Sequence, residues 1–504
     1  MLRPVRDDYY VLVWNFIDPL FTEGPERAAE AIARFRDLAC NGGTLIATFV
    51  NLQGYHDTLD RLGLPPITFK AVDLGASPFL EDGFPFYVEN ICRTLYRGWG
   101  GCKPIYREHY RSFAKEGDRH VFVSAPCVND PAVAEVQRNR IAQVMEGVKD
   151  ARHLSLLYDL RDEPSITSFL LADDSCFCEH CLTRMRAWLR DRYGDLAALN
   201  AEWGTEFDEW AAVEPITTLE ALDRRDAGTW NFAPWHDHRA FMNQSFVDAY
   251  RDYAEELRKH DPEARAGLAG TQCPSVFGGY DFSLMVPAID WVEPYDFANS
   301  VDCIRSFAPR REFPILKTSF PGGSAEALAA MLWTYLFQAG GYAGTIIWHS
   351  NRIVDVDKEG LPAAEGVPER VEVYAELRSG FAGLLQAAEP FSAPVAVHYS
   401  QASLNADFIT SVPNRWRAVA GSETGNLAST NIRDAWWKLL EDRGLRPTFI
   451  ASHEIEAGAL AERGIKVLVL PRSISISDAE AEAMTQFVEA GGVLVADSFT
   501  GRMD

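Results

Sequence analysis

The sequence contains no apolar run of about 18 residues, so nothing in it reads as a membrane-spanning helix. It is also short of positive charge: 48 Lys and Arg stand against 72 Asp and Glu, a formal net charge of −24. Nucleic-acid binding needs clustered cations to neutralise phosphates. The balance therefore argues against nucleic acid, anionic membrane surfaces and polyanionic substrates. No leader peptide is recognisable, because residues 1–8 are polar and charged and the apolar run 9–16 is short and lacks a small-residue cleavage site. Internal repeats and low-complexity segments are missing too. Cysteine is scarce and odd in number, nine in 504 residues. Without an export signal this speaks for thiols or metal ligands rather than a disulfide framework, and for a cytoplasmic protein.

What is present is a globular composition, 47% hydrophobic and 24% charged, sufficient for sizeable cores. A chain of 504 residues exceeds one ordinary domain but accommodates an α/β barrel of roughly 250 to 400 residues plus a smaller unit. Apolar runs rich in Val, Ile and Tyr begin at Tyr9, Gly43, Phe84, Leu154, Ala264, Asp290, Phe313 and Gly344. A further run, "HVFVSAP" at His120, reads as an extra strand after the third. Amphipathic stretches at 26–40, 133–149 and 244–260 read as helices between them. Eight strand–helix repeats imply a parallel sheet closed into a (β/α)8 TIM barrel over residues 1–388, its last helix near 368–386. Residues 389–504 then read as an open doubly wound, flavodoxin-like α/β unit. It has a strand at 395–399, a helix carrying Trp436 and Trp437 closed by Gly444, and strands at "KVLVLP" and "GGVLVADSF" flanking a helix at 477–490. The sequence stops at Asp504 just after a strand, the pattern of a unit incomplete at its C-terminus.

Three cysteines, Cys176, Cys178 and Cys181, crowd into "CFCEHC". Thiolates are preferred ligands of structural Zn²⁺, which takes four in a tetrahedron. The fourth must come from elsewhere: Cys127 in "SAPCVNDP", from the connection after strand three, or His180 within the motif. A site closed by four thiolates leaves no position for water, so its role is structural. The pair in "HDH" at His236 is a weaker metal candidate. Cys40, Cys92, Cys102, Cys273 and Cys303 read as core residues.

Barrel chemistry collects at the C-terminal ends of the strands. Glu163 leaves strand four, and Pro164 behind it holds the backbone away from the helical region. A carboxylic acid there can protonate a leaving-group oxygen. Glu293 and Asp296 in "DWVEPYDFANS" end strand six and are the first candidates for a partner, with Asp355 and Asp357 after strand eight next. Trp14, Tyr295 and Trp348 stand at strand ends, where aromatic rings can stack on sugar faces.

The cysteine motif and the following "MRAWLRDRYGDLAALNAEWGTEFDEW" resemble the family 42 glycoside hydrolases, the β-galactosidase family. The resemblance implies a (β/α)8 barrel, a structural zinc and a homotrimer built by a trimerisation domain, here the unit from "VAVHYSQAS". It implies Cys127 as the fourth zinc cysteine and Glu163 as the general acid/base. Two positions depart from the family. Asp162 stands where the family has an Asn on the sugar 2-hydroxyl, and Thr318 stands where the nucleophilic Glu should close strand seven. Neither Thr318 nor Lys317 can replace a carboxylate in displacing a glycoside. The sequence thus points to a glycosidase acting on small oligosaccharides or glycosides, with its second carboxylate placed unusually. The competing readings are a carbohydrate-binding barrel without hydrolysis, and a lyase using Glu163 with Lys317 or Tyr295.

Overall fold

The computed structural model describes residues 9–14, 25–46, 81–92, 103–123, 127–167, 171–295, 299–309, 313–320, 324–339, 342–388, 391–414 and 427–504. Eight strands close in chain order into a parallel barrel: β1 (Tyr10–Trp14), β2 (Gly42–Ile46), β3 (Phe86–Glu89), β4 (Ser155–Asp159), β5 (Ala266–Thr271), β6 (Trp291–Pro294), β7 (Ile315–Ser319) and β8 (Tyr342–Trp348). The ring is shut by β8 against β1, from Tyr10 opposite Gly344 to Trp14 opposite Trp348. All eight apolar runs of the sequence are strands. They are legible because a parallel strand is buried on both faces and so reads as a continuous hydrophobic stretch.

Alternation along each strand divides the core in two. Tyr10, Leu12, Tyr87, Leu157, Ala269, Trp291, Leu316 and Ile346 form one cluster inside the barrel. Val11, Val13, Val88, Tyr158, Leu268, Val292 and Ile347 take the other parity and pack outward in the main core. One inward step further along the strands come Trp14, Glu89, Asp159, Glu293, Thr318 and Trp348. The layer nearest the mouth is therefore acidic and aromatic, whereas the layers beneath it are apolar.

The described part of the run at His120, residues 120–123, is not a strand. Arg119–Val121 forms a short 3₁₀ turn capped by Asp118. Phe122 is buried, its ring against those of Tyr110, Phe113 and Phe177. An aromatic cluster took the apolar side chains that suggested pairing. The helix expected over 244–260 is longer, Ala233–His260. The last barrel helix breaks at Gly380 (φ +107°), between Val367–Glu376 and Ala382–Ala387.

Beyond the barrel, β9 (Val395–Tyr399), β10 (Thr448–Ala451), β11 (Val467–Leu470) and β12 (Val493–Ala496) form a parallel sheet in the order β10-β9-β11-β12. The strand β10 has only four residues and was not separated by the sequence from the loop after Gly444. The helix Ala428–Glu441 is followed by Gly444 in the left-handed region (φ +72°), and Asp478–Glu489 opens with a Ser477/Glu480 capping box. The sheet sits on the barrel helix Ser300–Phe307: Ser306 Oγ accepts the Phe449 N–H at 2.9 Å, and the Phe307 and Tyr399 rings lie 5.2 Å apart. Among the described residues no helix is long and apolar enough to cross a membrane.

Candidate active site and thiolate cluster

The loop leaving β4 folds back over β5. Glu163 has φ +47°, an uncommon conformation for a non-glycine residue, and its N–H is held by the Ala269 carbonyl at 3.0 Å. The Pro164 carbonyl accepts a hydrogen bond from the Tyr280 hydroxyl. Both Asp162 and Glu163 are partly exposed. Tyr295, next after β6, donates its hydroxyl to Glu163 Oε1 at 2.7 Å. Gly270 (φ +63°) lies beneath this group. A Cβ there would stand 2.7 Å from Glu163 Cγ, 2.8 Å from Asp162 Oδ1 and 3.0 Å from the Tyr295 hydroxyl. Both the backbone angle and the close approach demand glycine. The Gly270 N–H in turn donates to Glu293 Oε2 at 2.8 Å. One glycine thus connects the β4 exit to the β6 carboxylate.

Under the two partly exposed acids lies a set of buried ones. Asp159 accepts N–H bonds from Asn90 and Ala269, each at 3.0 Å. Burial, then the neighbouring Asp162, raises its pKa from 3.8 to about 7. Glu89 accepts from the Trp14 indole at 2.6 Å and from the Tyr87 hydroxyl, and the Asn90 amide donates to its other oxygen at 3.1 Å. Burial and the nearby Asp162 and Asp159 push Glu89 well above the usual carboxylate range. Glu293 is pushed up by burial and by Asp162, against the opposing pull of the Gly270 N–H. Glu89, Asp159 and Glu293 are all less than 5% exposed, and burial is the first cause of each upward shift.

The facing wall is aromatic. Trp348 is 39% exposed and Phe320 58%. Ring centroids step from Trp14 to Trp348 (6.0 Å), to Phe320 (5.8 Å) and to Tyr295 (6.0 Å). The structure therefore brings together Asp162, Glu163, Glu293, Tyr295, Trp14 and Trp348 from the sequence-derived candidates. Asp296 lies outside the described residues. Asp355 instead pairs with Lys358 at 2.8 Å at the surface and accepts the Asp357 N–H. Thr318 is buried at the mouth layer. Lys317 turns the other way, its Nζ 4.3 Å from the centre of the Tyr335 ring. Sequence reasoning missed Glu89, Asn90, Asp159, Gly270 and Phe320. For Glu89 and Asp159 the available signal was an acid ending an apolar strand.

The sulfurs of Cys127, Cys176, Cys178 and Cys181 lie within 4.8 Å of one another. Cys127 and Cys181 are 3.3 Å apart, and Cys127 and Cys178 are 3.5 Å apart. A tetrahedral zinc with sulfurs at about 2.3 Å requires similar spacings, so the donor set fits such an ion. Asn129 adds its backbone N–H to Cys127 Sγ (3.3 Å) and its side-chain amide to Cys181 Sγ (3.1 Å), as expected around thiolates. His180 is not in the cluster, and its ring stands 3.8 Å from Asp130. The "HDH" histidines do not join one either: His236 meets the Asn405 amide and His238 the Arg239 guanidinium. Cys40, Cys92, Cys273 and Cys303 are buried and form no disulfide among the described residues, and Cys102 lies outside them.

Residues 109–304 match the family model described as Beta-galactosidase, glycoside hydrolase family 42. That span includes Glu163, Glu293 and the four clustered cysteines. The β-galactosidase bgaB of Geobacillus kaustophilus is 24% identical over 355 residues, covering 65% of this chain and 49% of that protein. The β-galactosidase structure from Bacillus circulans sp. alkalophilus aligns with a TM-score of 0.63 at 16% identity, covering 98% of this chain and 71% of that one. A family 42 exo-carrageenase from Bacteroides ovatus also reaches 0.63, at 13% identity, over 98% and 65%. The chain spans about half the length of the curated relatives it matches. These likenesses and the closed strand order define the class as a (β/α)8 barrel. Within that class, residues 109–304 are similar to glycoside hydrolase family 42, at the distance of a divergent relative.

Proposed function

We propose that the chain is a β-galactosidase-like glycoside hydrolase that acts on small oligosaccharides or glycosides at the barrel mouth. The observation that carries this reading is the junction at Gly270, where a partly exposed carboxylate, Glu163, packs against the glycine whose N–H holds a buried one, Glu293. Glycoside hydrolysis takes two carboxyl groups flanking the scissile bond, one to move the leaving-group proton and one to attack or to activate water. Glu163 takes the first role, with Tyr295 fixing its orientation. Glu293 takes the second, and Asp296 is the other strand-six carboxylate to test. Asp162 serves as an acceptor for a sugar hydroxyl, and Trp348 offers a ring face. The departure at Thr318 supports looking for the second carboxylate on strand six. A screen of aryl glycosides and natural oligosaccharides, with Glu163→Gln as control, tests the reading. Turnover by the wild type and its loss in the variant support it. A wild type inert on every glycoside overturns it.

The thiol cluster is assigned a structural zinc. Cytoplasmic location rests on those thiols: no disulfide joins the described cysteines, and free thiols suit a reducing compartment. The homotrimer is supported by apolar exposure beside the last barrel helices. Phe337 (60% exposed) and Phe381 (51%) both contact the Trp333 ring, and Leu384 is 66% exposed. Such clustered exposure marks a surface that another chain covers.

A further inference from the structure

A cavity of about 830 Å³ lies between the barrel and the four-stranded sheet, and none of the mouth residues lines it. On the sheet side its wall follows the C-terminal ends of three strands: Tyr399 ending β9 and Gln401 beyond it, Ser452 after β10, Ser475 after β11. In the order β10-β9-β11-β12, the connection from β9 runs to one side and that from β11 to the other. Open parallel sheets bind ligands outside their carboxyl ends at such a reversal. Here His398 of β9 spans it, buried, with Nδ1 2.8 Å from Ser473 Oγ and Nε2 3.1 Å from Ser452 Oγ and 2.9 Å from Glu480 Oε1. The sheet side is therefore a fixed wall.

The barrel supplies the opposite wall through helices Glu179–Tyr193 and Ala233–His260. His236 Nδ1 meets the Asn405 amide at 2.9 Å, tying the two walls together. Two polar groups lining the space lack partners among the described residues. Asn243 is 2% exposed and its amide nitrogen is unbonded; Gln401 Oε1 is buried and unbonded, although its amide donates to the Ser275 carbonyl at 2.8 Å. One is a donor and the other an acceptor. Buried amides left without partners are costly, and a small turn of either side chain would bring its free group to an occupant of the cavity.

The rest of the lining names the occupant's chemistry. Trp188 and, at 57% exposure, Trp230 offer ring faces, whereas Trp235 is buried against Phe408. Carboxylates outnumber cations, and one cation, Arg192, is already held 3.5 Å from Asp237. Rings, amides and acceptor carboxylates suit a neutral polyhydroxylated molecule and disfavour an anion. We propose that this cavity is a second carbohydrate site, for a neutral mono- or disaccharide, separate from the barrel mouth. It stands on the cavity's own groups and does not require hydrolysis at Glu163.

Calorimetric titration of the full chain carrying Glu163→Gln, which leaves sugars unconsumed, tests this with galactose, lactose and gluconate as probes. Trp230→Ala and Gln401→Ala, each added to that background, should weaken one class of neutral-sugar sites by about tenfold or more. In the otherwise wild-type chain both variants should leave aryl-glycoside turnover within about twofold. Loss of the cavity site with mouth binding intact, or with no mouth binding at all, supports the proposal. Neutral-sugar binding unchanged by both variants overturns it, as does gluconate binding as tightly as galactose. No binding of either neutral sugar in the Glu163→Gln chain overturns it as well.

Discussion

The hydroxyl of Tyr295 donates to Glu163 Oε1 at 2.7 Å, joining the exit of β6 to the loop after β4. The bond fixes the orientation of a side chain whose backbone is already constrained at φ +47°. Glu163→Gln should lower turnover of glycosides with poor leaving groups by about 10²–10⁴-fold. Activated aryl glycosides need less protonation and should lose less. Tyr295→Phe keeps the carboxyl and loses only its orientation, so its smaller loss should follow the same leaving-group order. Equal losses across leaving groups would remove Glu163 as the proton donor.

Glu293 is tested by truncation and rescue. Glu293→Ala should lower turnover by at least about 10²-fold if it is the second carboxylate. Rescue by azide to a glycosyl azide would identify it as a nucleophile, and inverted product by early-time NMR in the wild type would identify a base. Near wild-type activity would pass the role to Asp296.

Gly270→Ala separates packing from chemistry. The new methyl meets three side chains at 3.0 Å or less, all of them partly exposed at the mouth, so they shift rather than the barrel opening. The variant should fold with a modestly lower Tm and lose about 10²-fold in turnover, the typical consequence of displacing reacting groups by about 1 Å. Full activity would mean that the Gly270 contacts do not position the site.

Asp159 gives a pH signature. Its pKa is 3.8 before folding perturbs it and about 7 in the fold, raised first by burial. Between those values the folded chain holds a proton that the unfolded chain has released. Stability from this group is therefore greatest at low pH and is lost as pH rises from about 4 through about 7. Asp159→Asn does not titrate. Its Tm relative to wild type should rise by a few degrees between about pH 4.5 and about pH 8. The same Tm difference at both values would contradict a raised pKa.

The thiol cluster predicts about one zinc per chain by metal analysis. Cys178→Ser should lower Tm and zinc content together, while KM for any glycoside turned over at low temperature stays near wild type. Metal-free protein with four freely titratable thiols would remove the assignment.

The sequence by itself determined the eight barrel strands, because parallel strands buried on both faces must be apolar runs. It also made Glu163 stand out, since a strand exit followed by proline leaves few roles for an acid. The three clustered cysteines were legible for the same reason of local spacing. Other features were decided in three dimensions. The strand β10 is too short to carry a pattern, and the run at His120 kept its apolar side chains for an aromatic cluster instead of a sheet. Glu89 and Asp159 matter only because inward positions of β3 and β4 converge at one end of a closed ring, and Gly270 only because the loop after β4 folds back over β5. In the same way Cys127 meets Cys181 only through the packing of a loop on the first turn of a helix far from it in the chain. Alternation tells which way a side chain faces along its own strand, but only closure of the barrel sets which side chains of other strands it meets.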